Sequence, residues 1–198
     1  MQNYIPPFEI TNIMLERVSS IMKKIGGLEN YKDLNKMPVL RRNNRIKSIH
    51  SSLAIEANSL SLSQVKDVID GKLVIGPEKE IQEVKNAYNA YLKIKEVNPY
   101  SIKDLKEIHG IMTYLTTEES GKFRSTGEGV FDENGNCIHI CPPANQVEEL
   151  MEQLFNWMKE KKNEIHPLIL SSVFHYEFVF IHPFGDGNGR TARLWQNV

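Results

Sequence analysis

Residues near the end of the chain combine side chains that suit phosphate chemistry with a proton acceptor. The stretch runs His182-Pro183-Phe184-Gly185-Asp186-Gly187-Asn188-Gly189-Arg190, and Arg193 follows three positions later. His182 can accept a proton near neutral pH. Asp186 offers a hard oxygen ligand of the kind that Mg²⁺ takes beside phosphates. Arg190 and Arg193 lie near one another if the segment is helical, and guanidinium groups are fork-like phosphate donors. The stretch therefore predicts a phosphate-binding site with a base beside it.

The flanking residues predict that this stretch is a turn between two helices. A helix that begins at His166-Pro167 continues to about Ile181, Pro183 ends it, and helical character resumes after Gly189. The first N–H groups of the second helix and the donors of the turn can bind an anion. Phe184 is predicted to anchor the loop in the core. The glycines have neither the spacing of the common lysine-containing phosphate loop nor the preceding strand that dinucleotide binding needs.

The rest of the chain is predicted to be mainly helical. Apolar residues recur at helical spacing, and start signals divide the pattern into separate helices. The clearest signal is the capping box Ser61-Leu62-Ser63-Gln64, and Gly71 is predicted to follow the end of the helix that it opens. The predicted helical segments are 8–24, 41–57, 61–71 and those that begin at Pro77, Ser101 and Asn145.

One segment has the pattern of a β-hairpin instead. Val130-Phe131 and residues 137–140 are interpreted as strands, and the pair Asn134-Gly135 between them is a strong turn signal. A lone hairpin must lie against another part of the protein. It is either purely structural or a surface beside which an extended peptide docks.

Composition and charge are those of a soluble globular protein. The chain has 198 residues, of which 40% are hydrophobic and 25% charged, with a net charge of −1. These values suit one domain with its own core and disfavour a nucleic-acid-binding surface, which needs a basic excess. The N-terminus lacks the basic and apolar regions of a signal peptide, and polar residues interrupt the most apolar stretch, 167–184. We therefore expect a cytoplasmic protein with no membrane association and no direct nucleic-acid binding.

The two cysteines, Cys137 and Cys141, do not make a disulfide framework. With His139 between them they resemble a metal cluster. Side chains on one face of a strand sit roughly 7 Å apart per step, whereas zinc ligands all lie about 2.0–2.3 Å from the ion. Half-buried strand residues are therefore the better interpretation.

Residues 182–193 match, position for position, the motif His-x-Phe-x-Asp-Gly-Asn-Gly-Arg-x-x-Arg of Fic proteins, and the chain resembles that family from about residue 40 to its end. The similarity extends to the helix with His175-Tyr176-Glu177-Phe178, to Gly121-Lys122-Phe123-Arg124 and to the hairpin before Pro142-Pro143. The resemblance implies the all-α Fic fold, a helical bundle with one β-hairpin flap. The implied units are an N-terminal helical extension over 1–40 and a Fic domain over 41–198.

The resemblance also implies a protein adenylyltransferase. It would transfer AMP from ATP, with Mg²⁺, to a Tyr, Thr or Ser hydroxyl of a target protein or of itself, and release pyrophosphate. His182 would be the general base, Asp186 would hold Mg²⁺ and Arg193 would hold the γ-phosphate. Related Doc kinases have Asn-Lys-Arg where this chain has Gly-Asn-Gly-Arg, so the loop is similar to that of the nucleotidyl-transferring branch. The phosphate cradle would comprise Gly185, Gly187, Asn188, Gly189 and Arg190, and the target-positioning flap (about 128–141) would comprise Val130, Phe131, Ile138, His139 and Ile140.

A second segment resembles the inhibitory helix of the same family, whose pattern is Ser/Thr-x-x-x-Glu-Gly/Asn. Ser52 and Glu56 take its key positions in a helix of about 46–58, and Ala57 departs from the expected Gly or Asn. The resemblance implies that Glu56 pairs with Arg193 and blocks the γ-phosphate pocket, because a carboxylate and a phosphate compete for one guanidinium.

Three alternative functions stay open. The chain could remove AMP from a modified protein, with Glu56 activating a water. It could use another donor, such as UTP, GTP or a choline nucleotide, because the loop reads phosphates and not the base. It could also be a non-enzymatic nucleotide-binding regulator. A homo-oligomer is left open as well. Since the chain ends five residues past Arg193, where family members usually continue with more helix, we expect a truncated or unusually short form.

Overall fold

The fold is a bundle of α-helices with one small hairpin. The computed structural model describes residues 4–29, 37–132 and 134–198, and over these ranges it has eight α-helices and one antiparallel pair of strands. The predicted all-α fold with one β-hairpin is confirmed. Residues 1–3 and 30–36 of the predicted N-terminal extension lie outside the described residues. In chain order the elements are α1 (Asn12–Glu29), α2 (Pro38–Ile55), α3 (Leu62–Ile69), α4 (Glu78–Lys93), a 3₁₀ turn (Ile94–Glu96), α5 (Ile102–Met112), β1 (Gly129–Phe131), β2 (Cys137–Ile140), α6 (Ala144–Lys161), α7 (Pro167–Ile181) and α8 (Asn188–Trp195).

Local sequence signals set several helix ends. The Ser61 hydroxyl accepts from the Gln64 N–H while the Gln64 side chain accepts from the Ser61 N–H, so the predicted capping box opens α3. Gly71 follows the end of α3 with a φ of 75°, as a helix-terminating glycine does. The Ser101 side chain caps α5. α7 begins at Pro167, where the missing N–H needs no partner.

α7 is central to the bundle and ends at the predicted site. Its residues Phe174, Phe178 and Ile181 recur at spacings of four and three and are almost fully buried. α6 and α8 pack against α7, while α4 packs against α2, α3 and α5. Because α2 and α5 also contact α8, the last helix lies where both groups of helices meet.

The N-terminal segment packs on the same bundle. Phe8 meets the Trp157 ring of α6 edge-on, with centroids 5.9 Å apart. The Tyr4 hydroxyl donates a hydrogen bond to the buried carboxylate of Glu177 in α7. Since α2 begins before residue 41, the boundary predicted there falls inside this helix. Among the helices described, none combines the length and the apolar run that crossing a bilayer requires.

β1 and β2 form the predicted hairpin, with Val130 opposite His139. The Asp132 carboxylate accepts hydrogen bonds from two backbone N–H groups of the turn, which closes it. His139 Nε2 donates to the Phe180 carbonyl at 2.8 Å, and the two rings are in contact with centroids 4.4 Å apart. The hairpin therefore lies against the last turns of α7.

Candidate active site

The 182–193 loop connects α7 to α8, and buried side chains hold its backbone. Asn188 clamps Phe184 from both sides: its Oδ1 accepts from the Phe184 N–H at 2.9 Å, and its Nδ2 donates to the Phe184 carbonyl at 2.6 Å. The Phe184 ring is fully buried and stacks on the His109 ring with centroids 3.6 Å apart, which confirms the predicted anchor. Side chains of the protein thus fix the backbone conformation of the loop.

His109 of α5 holds a second point of the loop, and sequence reasoning missed it. Its Nδ1 accepts from the Gly121 N–H at 3.0 Å, so Nε2 carries the proton and donates to the Asp186 carbonyl at 2.9 Å. Burial lowers the pKa of His109 to about 4. The ring is therefore neutral at pH 7, with both hydrogen bonds in place. The signal in the sequence was a histidine within the buried stripe of α5.

Arg124 joins the loop to the hairpin. Its buried side chain donates to the His182 carbonyl at 2.7 Å and to the carbonyls of Thr126 and Pro142, which lie on either side of the hairpin. Its backbone N–H donates to the Pro183 carbonyl at 2.9 Å. One arginine, to which the sequence assigned no role, thereby sets the flap against the loop.

His182 ends α7 in a left-handed conformation with a φ of 52°. Its Nδ1 lies 3.4 Å from the Val179 carbonyl, and a proton on Nδ1 leaves Nε2 as the proton acceptor. Burial lowers the pKa of His182, while the contact with the Val179 carbonyl acts in the opposite direction. A neutral imidazole with an open Nε2 is the form that a general base needs.

The N-terminus of α8 supplies backbone donors. Gly187 precedes it with a φ of 78°, and a Cβ at this position would lie 2.7 Å from Thr113 Cγ2, so the turn requires glycine. The first N–H groups of a helix have no partner within it, and in α8 they belong to Asn188, Gly189 and Arg190. Because the Asn188 side chain is committed to the loop, only its backbone can serve as an anion donor.

Arg190 is buried between two carboxylates, with a side chain 3% exposed. Its Nη1 donates to Glu83 of α4 at 3.1 Å, and its Nη2 donates to Asp186 at 3.0 Å. The Asp186 side chain is 42% exposed and so faces solvent. The structure brings Arg190 and Asp186 together and adds Glu83, which sequence reasoning missed.

Arg193 is held by the end of α2. Its Nε donates to Ser52 Oγ and its Nη2 to the Ser52 carbonyl, both at 2.9 Å, and Nη2 also donates to Glu56 Oε1 at 2.6 Å. The Glu56 carboxylate lies against the start of α8, since a Cβ on Gly189 would be only 2.3 Å from Glu56 Oε1. The Glu56 carboxylate therefore lies beside the first turn of α8, where negative charge is favoured.

Glu56 lies just past the end of α2 and not inside a helix that reaches about residue 58. α2 ends at Ile55 because Glu56 leaves the helical conformation, with a φ of −95° and a ψ of 26°, and Ala57 takes a left-handed φ of 63°. Glycine and asparagine adopt that conformation most readily. This explains why the resembling pattern has Gly or Asn where this chain has alanine.

The predicted flap residues form a partly open surface beside α7. Phe131, Ile138 and Ile140 are exposed, whereas Val130 and His139 are half-buried. A cavity of about 590 Å³ lies between the hairpin and α7 and is lined by residues of both. A larger cavity of about 690 Å³, between α1 and α7, contains none of the predicted site residues.

Asp186 is the predicted ligand for Mg²⁺. Within the described ranges, no group of three or more His, Cys, Asp or Glu side chains could hold a metal ion. Mg²⁺ commonly takes one or two carboxylates and draws its other ligands from water and substrate phosphates, so the solvent-facing carboxylate of Asp186 fits that role. Cys137 is exposed in β2, Cys141 is buried past the end of β2, and His139 is half-buried in β2. The prediction of half-buried strand residues is therefore confirmed for His139 and wrong for both cysteines.

The sequence and the fold are similar to those of known proteins. The sequence model of the Fic/DOC family matches residues 99–198. A protein adenylyltransferase Fic from Nematostella vectensis is 35% identical over 160 residues, which cover 76% of this chain and 36% of that protein. One from Drosophila mojavensis is 30% identical over 194 residues, which cover 92% of this chain and 37% of that protein. The chain thus spans little more than a third of the length of these relatives. The crystal structure of a Fic family protein from Desulfovibrio desulfuricans G20 is 44% identical, with a TM-score of 0.92, and the match covers 98% of this chain and 59% of that one.

Proposed function

Because the chain belongs to the Fic/DOC family, we propose that it is a protein adenylyltransferase, which transfers AMP from ATP to a hydroxyl side chain of a protein. The observation that carries the proposal is one short, clamped loop with His182 at one end and the N-terminus of α8 at the other, where the Glu56 carboxylate lies beside Gly189 and pairs with Arg193. Both relatives are named protein adenylyltransferase Fic, which supports AMP as the transferred group.

In the proposed reaction, His182 Nε2 takes the proton of the target hydroxyl while that oxygen attacks the α-phosphorus of ATP. The new O–P bond forms as the bond from the α-phosphorus to the oxygen that bridges to the β-phosphate breaks. Pyrophosphate leaves with that electron pair, and the proton stays on His182 as an imidazolium. The lowered pKa of His182 keeps the ring neutral before the step and lets it release the proton afterwards.

The chain's own groups would contribute position and charge. The first backbone N–H groups of α8 and the guanidinium groups of Arg190 and Arg193 would hold phosphate oxygens, and Arg193 would take the γ-phosphate. Such placed donors stabilise the charge that develops in the transition state. Mg²⁺, held by Asp186 and the phosphates, would supply further neutralisation of negative charge.

Glu56 would keep this site closed at rest. ATP would have to displace its carboxylate from Arg193 and from the space beside Gly189, because the carboxylate and a phosphate compete for the same guanidinium and the same space. A hydrogen bond to a charged group contributes about 1.5–3 kcal/mol. Removing it should therefore raise the fraction of sites that are open to ATP about 10- to 100-fold.

The target would reach His182 along the hairpin. An extended segment that docks beside a strand gains main-chain hydrogen bonds, and the exposed side chains of Phe131, Ile138 and Ile140 would contact its side chains. A Tyr, Thr or Ser hydroxyl of a partner protein, or of the chain itself, would then lie at the base.

Intact-protein mass spectrometry after incubation with ATP and Mg²⁺ tests the proposal. Glu56→Gly should raise the rate of AMP addition about 10- to 100-fold over the wild type, the range given by one charged hydrogen bond. Adding His182→Ala to that variant should abolish the adduct, because the target hydroxyl then has no base. Parallel incubations with UTP and GTP identify the donor.

Ala54→Gly is the matched control, since it introduces the same residue at an exposed position of α2. It should leave the rate at the wild-type level. Equal rates for the wild type and Glu56→Gly would rule out the brake, that is, inhibition by Glu56. The absence of any adduct on a folded Glu56→Gly chain would rule out self-modification.

A further inference from the structure

Glu83 of α4 touches both halves of the site, and we propose that it is a positioning residue for both. One oxygen of its carboxylate orients the Arg190 guanidinium, and the other holds the turn that follows Glu56. The inference rests on the proposed function. It adds α4 to that function, because α4 then links α8, which would bind the phosphates, to the inhibitory Glu56 carboxylate, the brake.

The contact with Arg190 is a buried ion pair. The Glu83 side chain is 12% exposed and that of Arg190 is 3% exposed, with Nη1 3.1 Å from Glu83 Oε1. The other edge of the guanidinium is bonded to Asp186, which belongs to the same loop and is open to solvent. In the described structure the buried Arg190 Nε has no hydrogen-bond partner. The orientation of this guanidinium therefore depends on Glu83 as its fixed, buried end.

The second oxygen of Glu83 holds the turn after Glu56. Asn58 Nδ2 donates to Glu83 Oε2 at 2.9 Å and to the Glu80 carbonyl at 3.2 Å. Asn58 is buried and lies two residues after Glu56, across the left-handed Ala57. Any displacement of the Glu83 carboxylate is thereby passed both to Arg190 and to the brake.

Glu80 offers a comparison on the same helix. Its Oε2 accepts from the Ser59 N–H at 2.6 Å and from the Ser59 hydroxyl at 2.8 Å, so it holds the same turn. None of its contacts in the described ranges reaches Arg190. Loss of the Glu80 side-chain contact should loosen the brake alone, whereas loss of the Glu83 carboxylate affects the brake and the phosphate site together.

Steady-state rates of AMP addition separate the two roles. In the Glu56→Gly chain, where the brake is absent, Glu83→Gln should raise the KM for ATP about tenfold and also lower kcat, because a charged hydrogen bond that orients a phosphate donor is lost. A merely structural role would reduce the amount of active enzyme and leave KM unchanged. Glu83→Asp, which keeps the charge, should recover part of the loss. Asn58→Ala and Glu80→Gln should each raise the rate several-fold in the otherwise wild-type chain. Glu80→Gln, which does not touch Glu83, should leave KM and kcat of the Glu56→Gly chain unchanged.

Each outcome decides one part. If the KM for ATP were unchanged when Glu83→Gln is added to Glu56→Gly, Glu83 would not orient Arg190. If Asn58→Ala had the wild-type rate, the contact of Glu83 with the turn after Glu56 would not support the brake. If Glu83→Gln does not fold, the same comparison is made with Glu83→Asp. If the Glu56→Gly chain modifies nothing, the proposed activity fails, and calorimetric titration with ATP and Mg²⁺ still tests Glu83. Its Gln variant should then bind about tenfold more weakly than Glu80→Gln, and equal affinities would overturn the inference.

Discussion

At the scale of single residues, Ala57 shows how backbone conformation places a functional side chain. The Asn58 N–H returns to the Leu53 carbonyl at 3.1 Å and the Ala57 N–H to the Ala54 carbonyl at 3.1 Å, which is the pair of bonds of a Schellman helix end. That motif needs a left-handed residue, and here it is alanine with a φ of 63°. The chain leaves α2 at this point, and Glu56 consequently faces Arg193 instead of continuing along the helix.

Ala57→Gly should stabilise the protein. A left-handed alanine costs roughly 1–2 kcal/mol, while glycine costs about 0.5–1 kcal/mol through the extra freedom of the unfolded chain. The net gain in the free energy of unfolding should be about 0.5–1 kcal/mol, measured by urea denaturation. Ala54→Gly makes the same change in the right-handed last turn of α2 and should lose about 1 kcal/mol. A loss of stability in both variants would contradict this explanation of position 57.

Apart from Glu56, which was found through its resemblance to the inhibitory pattern, residues whose role depends on distant partners could not be found in the sequence. The motif residues are readable because they are consecutive, and His182 and Asp186 lie in the loop where the pattern places them. Arg124 and His182 are 58 residues apart, His109 and Asp186 are 77 apart, and Glu83 and Arg190 are 107 apart. No local spacing links such pairs, so only the folded chain shows that these side chains hold the loop.

At the scale of elements, the turn between α7 and α8 has two glycines with different demands. Gly187 has a φ of 78° and a Cβ there would meet Thr113 Cγ2 at 2.7 Å. A Cβ on Gly185 would meet Glu119 Oε2 at 3.5 Å, an ordinary van der Waals contact. The glycine-rich composition of the loop does not distinguish these positions, because both neighbour Asp186 in an irregular segment.

Gly187→Ala should therefore destabilise the protein by about 2–4 kcal/mol, the sum of a left-handed alanine and an overpacked contact. Gly185→Ala should change the free energy of unfolding by less than about 0.5 kcal/mol, as most open substitutions do. Urea denaturation followed by circular dichroism measures both. Similar losses in the two variants would show that strain at position 187 is not what distinguishes these glycines.

Elements with local signals were predicted well. The capping box of α3, the proline start of α7 and the turn of the hairpin each depend on residues within one or two turns of the chain. The end of α2 was misplaced by two to three residues, because the helical pattern continues past Ile55 and only the backbone at Ala57 ends it. The relation of α4 to the site was likewise hidden, since its sequence reads as an ordinary amphipathic helix.

At the scale of the whole molecule, three parts of the chain converge on the loop between α7 and α8. α5 contributes His109, the segment before the hairpin contributes Arg124, and α2 with α4 holds the arginines of α8. Because these anchors are buried and polar, the stability of the fold and the shape of the site depend on the same groups. His109 is the one of them whose charge can change at moderately low pH.

Acid should therefore destabilise the fold through His109. The pKa of its ring is about 4 in the folded chain, below the ordinary 6.5, so the unfolded chain binds the proton first as the pH falls. The stability that depends on the neutral ring is complete above about pH 6.5 and is lost progressively toward pH 4. Between pH 7 and pH 5 the loss from this residue should be about 2 kcal/mol. Burial also lowers the pKa values of His175 and His182, which adds to the loss in the same direction.

His109→Gln isolates this contribution, because glutamine has no proton to gain. Protonation of His109 at Nδ1 would set two donors against each other at the Gly121 N–H, whereas Nε2 would still donate to the Asp186 carbonyl. The variant should be less stable than the wild type at pH 7. Between pH 7 and pH 5, however, its free energy of unfolding in urea should fall by about 2 kcal/mol less than that of the wild type. If the two chains lost the same stability over that interval, the neutral ring of His109 would not be what acid removes from the loop.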